Sequence, residues 1–513
     1  MSNLLTHYRR ERPEIANRFA NYQVKTTHRY YKFTPQDSLQ TVKLLEYEDD
    51  LDLNLYPLEY EQPKEQETYQ EDEIPVYYTV APVDYRLPDI PVEIIADLHF
   101  TNEDELDDNP KNFDEIEFKL NLMYEARKLA GHLDEEELSE GYEDYSQDNN
   151  TTNSSITTYG LFGKKWRPSG NVRVEDDYIS ERKGTVVTRP VKGVRVNVLK
   201  WGWLKVEHGY TNDNGYFSTG TTRTKNVHYR VKFTDGLKVL VRPGNFFQIA
   251  NWKSGKHKRS ALNVTFVKNT SHQLYALINN AAWDFFDRVL PTYGLTGFNT
   301  VEISAHFNDH NSNYWFGWIP FRSEIKIGGK YKDGTRKKSD AIYATVIHEM
   351  THKSHYKMDW KAFNSIAGNA TKHKLFLRES WAQCVETIAT NDKYGQLFNQ
   401  YSLGNYVSSR LQNWNSNRIR TWKGNLQYET ISEMDEYSSL MIDLIDTHNQ
   451  NTYSSNLPVD LVSGYTLQQI QTALNGSHTV DIFYDKLYYL YNNSTKEHLN
   501  TIKGYANTVV NNL

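Results

Sequence analysis

The chain has 513 residues, 58 Lys and Arg against 65 Asp and Glu, and a formal net charge of −7. Such a length allows two or three domains with their own cores, and a mildly acidic balance with no dominant basic cluster argues against nucleic acid or an anionic membrane as the main partner. No run approaches the length of apolar sequence that a bilayer requires, so no transmembrane segment is expected, and the single cysteine, Cys384, rules out an intramolecular disulfide.

Residues 1–82 are polar, tyrosine-rich and increasingly acidic, with Glu48-Asp49-Asp50 and Glu71-Asp72-Glu73 flanking Pro57 and Pro63. They read as an extended, partly disordered leader. No apolar stretch follows the charges at its start, so no signal peptide is visible. Residues 83–158 begin with a Pro-spaced extended run, continue in an amphipathic helix from Phe113 to Leu129 that Gly131 ends, and finish in an acidic, Asn/Ser/Thr-rich linker.

Over residues 159–250 the pattern changes to short alternating runs around Val172–Val174, Val194–Val198, Tyr229–Phe233 and Lys238–Val241, separated by turn signals such as Thr211–Phe217. These predict a small antiparallel β-sandwich accessory domain. Asp213 and Asn214 offer oxygens to calcium, but a tight turn asks for the same residue types.

Residues 251–513 open with a wide apolar stripe, Leu274 to Val289, that predicts a buried helix over 272–289. Strands follow over 301–307 and 324–327, with Trp315 and Trp318 between them suited equally to packing or to a subsite wall. His306 and His310 fit satisfied polar residues better than metal ligands. Further helices are expected over 435–447, 466–474, 479–492 and 495–510, forming the far wall of a cleft.

The chemistry concentrates in Ala341–His352, an apolar helix-forming run that ends in His348-Glu349-Met350-Thr351-His352. On a helix, His348 and His352 lie one turn apart on one face, so both imidazoles can reach one zinc ion, while Glu349 beside them can take a proton from a zinc-activated water. A third ligand is needed, with the fourth position left to water. Glu379, 27 residues after His352 in Arg378-Glu379-Ser380-Trp381-Ala382, is the candidate, with Glu386 the weaker alternative as ligand or surface carboxylate. Gln383, one turn after Glu379, is placed to accept the outer N–H of a ligand histidine. A histidine six residues after His352 would make a different ligand set, but Met358 stands there; His355 reads as a polar helix-face residue. Cys384 reads as a buried small residue rather than a nucleophile. Tyr343, Tyr401, Tyr406 and Tyr437 are open candidates for an oxyanion stabiliser.

His-Glu-x-x-His followed by Glu379-Ser380-Trp381-Ala382 resembles the zincin metallopeptidases whose third ligand is a glutamate, the gluzincins. The helix from Ser339 to Glu349, with Ala281-Ala282-Trp283-Asp284 upstream, is similar to a group of envelope or secreted proteins of Bacteroidetes-type bacteria, and the Pro190–Val194 and Thr211–Phe217 pair resembles the regulatory β-sandwich appended to carboxypeptidases. The resemblance implies an α+β chain: a zincin-like catalytic domain with a mainly helical C-terminal lobe over 251–513, preceded by the β-sandwich. It implies Zn2+ as cofactor, a peptide or protein substrate, and a secreted or cell-envelope location if a signal was removed. Gluzincins commonly carry Asp four residues after the ligand Glu, and Gln383 stands there instead. The alternative is a non-catalytic zincin-fold binding or surface protein, which would hold zinc without turnover.

Overall fold

The computed structural model describes residues 21–58, 74–100, 113–129, 165–244, 247–315, 323–363, 369–406 and 429–513, with a few isolated positions between. The architecture is mixed α+β, with several antiparallel sheets in the N-terminal half and helices in the C-terminal part. No helix among the described residues is long and apolar enough to cross a membrane.

The extended leader expected over residues 1–82 is instead folded over its described part. Strand β1 (His28–Phe33) leads into helices α1 (Ser38–Leu45) and α2 (Glu48–Leu51), and then to strands β2 (Tyr77–Pro82) and β3 (Val92–Leu98). The strands form an antiparallel sheet in the order β2-β1-β3. Asp37 caps α1 by accepting from the Gln40 amide at 2.8 Å. Tyr31, Phe33, Leu44, Leu51 and Tyr77 close a small core with Phe247. The acidic run that reads as solvated in sequence has buried partners: Lys232 Nζ lies 2.6 Å from Glu48 and 2.5 Å from Asp52, Arg230 lies 2.9 Å from Asp52, and Arg195 pairs with Asp49. Helix α3 (Phe113–Leu129) forms as expected, with Gly131 beyond it at φ +69°. Glu71-Asp72-Glu73, the linker over 134–158 and Trp318 lie outside the described residues.

The middle of the chain contains β4 (Ser169–Glu175), helix α4 (Asp177–Lys183), β5 (Thr188–Pro190), β6 (Arg195–Lys200), β7 (Leu204–Tyr210), β8 (Tyr216–Ser218), β9 (Asn226–Lys232), β10 (Val239–Arg242), β11 (Asn251–Lys258) and β12 (Leu262–Phe266). One sheet has the antiparallel order β11-β9-β6-β7; in the other, β4 pairs antiparallel with β5 and β8 and parallel with β12. Val172 and Val174 from one sheet and Val196, Val198 and Val231 from the other are fully buried in a common core. Strand alternation therefore locates these elements, but it does not say which sheet a strand joins. β10 leaves for a third sheet, while β11 and β12, beyond the expected boundary at 250, return to the first two.

That third sheet runs β10-β13-β15-β14, with β13 (Val301–His306), β14 (Asn313–Tyr314) and β15 (Ile325–Gly328). β10, β13 and β15 are parallel; β14 is an antiparallel edge. Helix α5 (Ser271–Asp284) continues through a π turn at Phe285–Val289 and buries Ala276, Ile278, Ala282 and Phe285 completely. Helices α6 (Ser339–Met358) and α7 (Asn369–Gln400) pack against each other, and α8 (Leu467–Leu474), α9 (Val480–Leu490) and α10 (Leu499–Asn512) follow. The helix expected over 435–447 does not form. A short 3-10 turn at Ser439–Met441 stands there, because buried polar residues in the run take local and tertiary partners: Ser438 meets Ser380 at 3.2 Å and Asp443 accepts from Gln450 at 2.7 Å.

Candidate metal centre

Helix α6 is fixed at its N-terminus by carboxylates, which suit the positive end of its dipole. Asp177 accepts from the Ser339 amide at 3.0 Å, Asp176 from the Ser339 hydroxyl at 2.6 Å, and Asp340 accepts from Tyr406 at 2.9 Å and from the Ser409 amide at 2.7 Å. With its start anchored and every residue from Ser339 to His355 buried, the helix has little freedom to rotate. Its packing against α7, where Trp381, Ala382, Cys384 and Val385 are fully buried, sets the facing register.

In that register His348, His352 and Glu379 converge. The two Nε2 atoms lie 3.1 Å apart, and Glu379 Oε2 lies 3.3 Å from His348 Nε2 and 3.0 Å from His352 Nε2. All three residues are buried, and among the described residues they form the one group of His, Cys, Asp or Glu side chains whose atoms could hold a metal ion. Ligands about 2.0–2.1 Å from a tetrahedral zinc are separated from one another by roughly 3.3 Å. The triad therefore has the spacing of three corners of such a shell, and the donor set suits zinc.

The electrostatics favour a cation at this point. Glu349, Glu379 and Glu386 are all buried; Arg378 Nε lies 2.9 Å from Glu379 Oε1, and the Lys337 ammonium pulls on Glu349 from further away. A divalent ion held by the imidazoles and Glu379 would offset part of the cost of burying this carboxylate charge. The same charge draws protons. Burial lowers the His348 pKa, but hydrogen bonds to Glu379 and Glu386 outweigh it and push it up to about 10. Burial raises Glu349, and Glu379 and Glu386 add to that against the pull of His348, so its carboxyl is pushed up to about 7. Glu379 is held far below the usual carboxylate range, because His352 and His348 overcome its burial.

The residue that supports His348 is Glu386, not Gln383. His348 Nδ1 lies 3.0 Å from Glu386 Oε2, whereas Gln383 Nε2 donates to Thr387 at 3.0 Å. Going one turn back along α6, from His352 to His348, goes forward along α7, so the partner lies two turns beyond Glu379 rather than one. The signal was present in the sequence: Glu386 stands seven residues after Glu379, on the same face. His352 Nδ1 is buried and has no hydrogen-bond partner among the described residues. The two histidines are thus unequally supported.

Among the four tyrosines, Tyr437 alone faces the triad. Its ring centroid is 5.9 Å from that of His348; its amide donates to Asp435 at 2.8 Å, and its hydroxyl makes no hydrogen bond among the described residues. Burial and then Glu379 raise its hydroxyl pKa. Tyr343 is committed to Asp284 and Arg288, Tyr406 to Asp340, and the Tyr401 ring packs under Lys183. His355 is not on a polar face: it is 1% exposed, packs edge-on against Phe363 and is pushed down to about 3 by burial. His306 bonds Ser304 and His310 sits by Asp309, away from any ligand group. Asp213 pairs with Lys192 in a turn held by Asn212, as a tight turn requires. Cys384 is buried, and its thiol is raised well above its usual pKa.

A cavity of about 740 Å³ lies between the N-terminal layer and the sheet edge, lined by Glu46, Glu302, Tyr314, Trp315, Glu324 and Tyr356 among others; none of the triad lines it. Two of its carboxylates are spent on Arg242 and Lys353. No protein-family model and no curated protein matches the chain.

Proposed function

We propose that the chain is a zinc-dependent metallohydrolase of the gluzincin type that cleaves peptide bonds. The observation that carries this reading is the buried convergence of His348, His352 and Glu379 with an additional carboxylate, Glu349, beside them and uncommitted to any hydrogen bond among the described residues. His348, His352 and Glu379 would hold the ion, with Glu386 fixing the tautomer of His348. When bound, zinc supplies Lewis-acid polarisation of the scissile carbonyl and a lowered pKa for the attacking water.

The remaining work belongs to the chain. Glu349 takes the proton of the attacking water on its carboxylate and returns it to the departing amine. The Tyr437 hydroxyl, next to His348 and without another acceptor, donates to the oxygen that gains charge as the carbonyl is attacked. Among the described strands β14 ends the sheet and could pair with an extended peptide, and the aromatic contact of Tyr314 with Phe363, which in turn touches His352, ties that edge to the metal ligands.

The test is hydrolysis of a peptide library by the zinc-loaded chain beside Glu349→Gln. Loss of turnover by about 10²–10⁴-fold with zinc retained is the expected outcome. A zinc-loaded chain that cleaves no peptide would sink the catalytic reading and leave a metal-binding protein.

A further inference from the structure

Arg378 is tied to the site by two contacts, and most of its hydrogen-bonding capacity remains unspent. Its Nε donates to Glu379 Oε1 at 2.9 Å, and its Cζ lies 5.3 Å from the centroid of the Phe363 ring. A guanidinium carries five N–H donors, and none but Nε has a hydrogen-bond partner among the described residues. The side chain is 21% exposed, unlike the buried ligands beside it. Oxygen Oε2 of the same carboxylate points at the two imidazoles, so with a metal bound Glu379 directs its charge away from Arg378.

The place of this group in the site gives its unspent donors a direction. Phe363 touches His352, Tyr314 of the edge strand, Tyr356 and Arg378. Arg378 therefore stands between the metal-binding carboxylate and the aromatic wall of the edge strand. A ligand oxygen lies about 2 Å from zinc, so the fork of Arg378 sits within roughly one or two residue lengths of the reacting carbonyl. A fork held from two sides is preorganised for bidentate contact with a carboxylate.

We propose that Arg378 is a specificity-determining residue that anchors a substrate carboxylate next to the scissile bond. The carboxylate is that of the C-terminal residue or of an acidic side chain at the same position. This inference rests on the metallopeptidase reading above and extends it to a substrate class.

The test is calorimetric binding to the zinc-loaded Glu349→Gln chain, which excludes turnover, with acetyl-Gly-Phe, its C-terminal amide, and acetyl-Gly-Asp amide as probes. The free acid is expected to bind at least about tenfold more tightly than its amide, the difference that one charge-assisted bidentate contact supplies. Tight binding of the Asp amide as well would assign the site to either carboxylate, and its absence to the C-terminus alone. Adding Arg378→Gln should bring the acid-to-amide ratio close to one, with Arg378→Lys restoring part of it. Equal affinity of acid and amide before any change at Arg378, or a ratio that survives in Arg378→Gln, overturns the proposal while leaving peptide hydrolysis intact. If Arg378→Gln loses zinc, the acid-to-amide ratio of the unmodified position decides alone. A chain that takes up no zinc removes both readings together.

Discussion

Two buried charge clusters in this molecule look alike in composition and differ in what their carboxylates face. Beneath the N-terminal layer, Glu48, Asp49 and Asp52 meet Arg195, Lys205, Arg230 and Lys232, so every carboxylate has a cation within reach. Between α6 and α7, Glu349, Glu379 and Glu386 lie buried around two imidazoles, with Arg378 on the outer oxygen of Glu379. Burying a charge is costly unless it is paired. The first cluster satisfies that rule with its own side chains and acts as an interface. The second sets its carboxylates against two imidazoles whose nitrogens converge with Glu379 at metal-ligand spacing, and that convergence is what marks it as a site.

The comparison can be broken from either side. Removing one carboxylate from the balanced cluster, Asp52→Asn, strips Arg230 and Lys232 of a shared partner. The loss expected is about 3–5 kcal/mol in urea denaturation, with zinc content unchanged. A drop in zinc content would contradict the separation of the two clusters. The smaller change Glu386→Gln, in the second cluster, should weaken zinc binding by about 10–100-fold through the orientation of His348, while Gln383→Ala should leave affinity near that of the unmodified chain. Competition with a chelator of known affinity reads both, and an equal effect of the two changes would return the supporting role to Gln383.

The smallest effect is a pH dependence. In the metal-free protein His348 is raised from 6.5 to about 10, so its contribution to stability is fully present below its unfolded pKa and is lost as pH rises towards the folded one. Glu349, raised from 4.5 to about 7, works in the same direction, its folded protonated form losing advantage as pH climbs through that window. Zinc needs the His348 nitrogen that faces Glu379 free of its proton, so its binding strengthens over the same range. The difference in Tm between zinc-loaded and chelator-treated protein should therefore widen from about pH 5.5 to about pH 8.5. A constant or narrowing difference would contradict the assignment.

The legible part of the site is the part written within one helix. His348, Glu349 and His352 are placed by a one-turn spacing, which needs no tertiary knowledge. Glu379 could be named because a third ligand had to come from a nearby helix. Glu386 was visible as a same-face candidate, but the choice between it and Gln383 depends on the direction in which α7 passes α6, which spacing does not carry. The N-terminal layer was hidden for a related reason. An acidic run reads as solvated when its partners are as distant in sequence as Glu48 and Lys232, 184 residues apart. Strands were visible as alternation, but the departure of β10 to a parallel partner, β13, is a property of sheet topology that period alone does not carry.

The most direct test of the account is the zinc content of the purified chain beside its Glu379→Gln variant, with folding checked by circular dichroism. The account predicts about one zinc per unmodified chain, matching the one His-His-Glu set among the described residues, and a folded variant that has lost most of it. Full zinc retention in the folded variant would move the third ligand elsewhere. Absence of zinc from the unmodified chain after reconstitution would contradict the central claim and leave α6 and α7 as a packed scaffold without a metal.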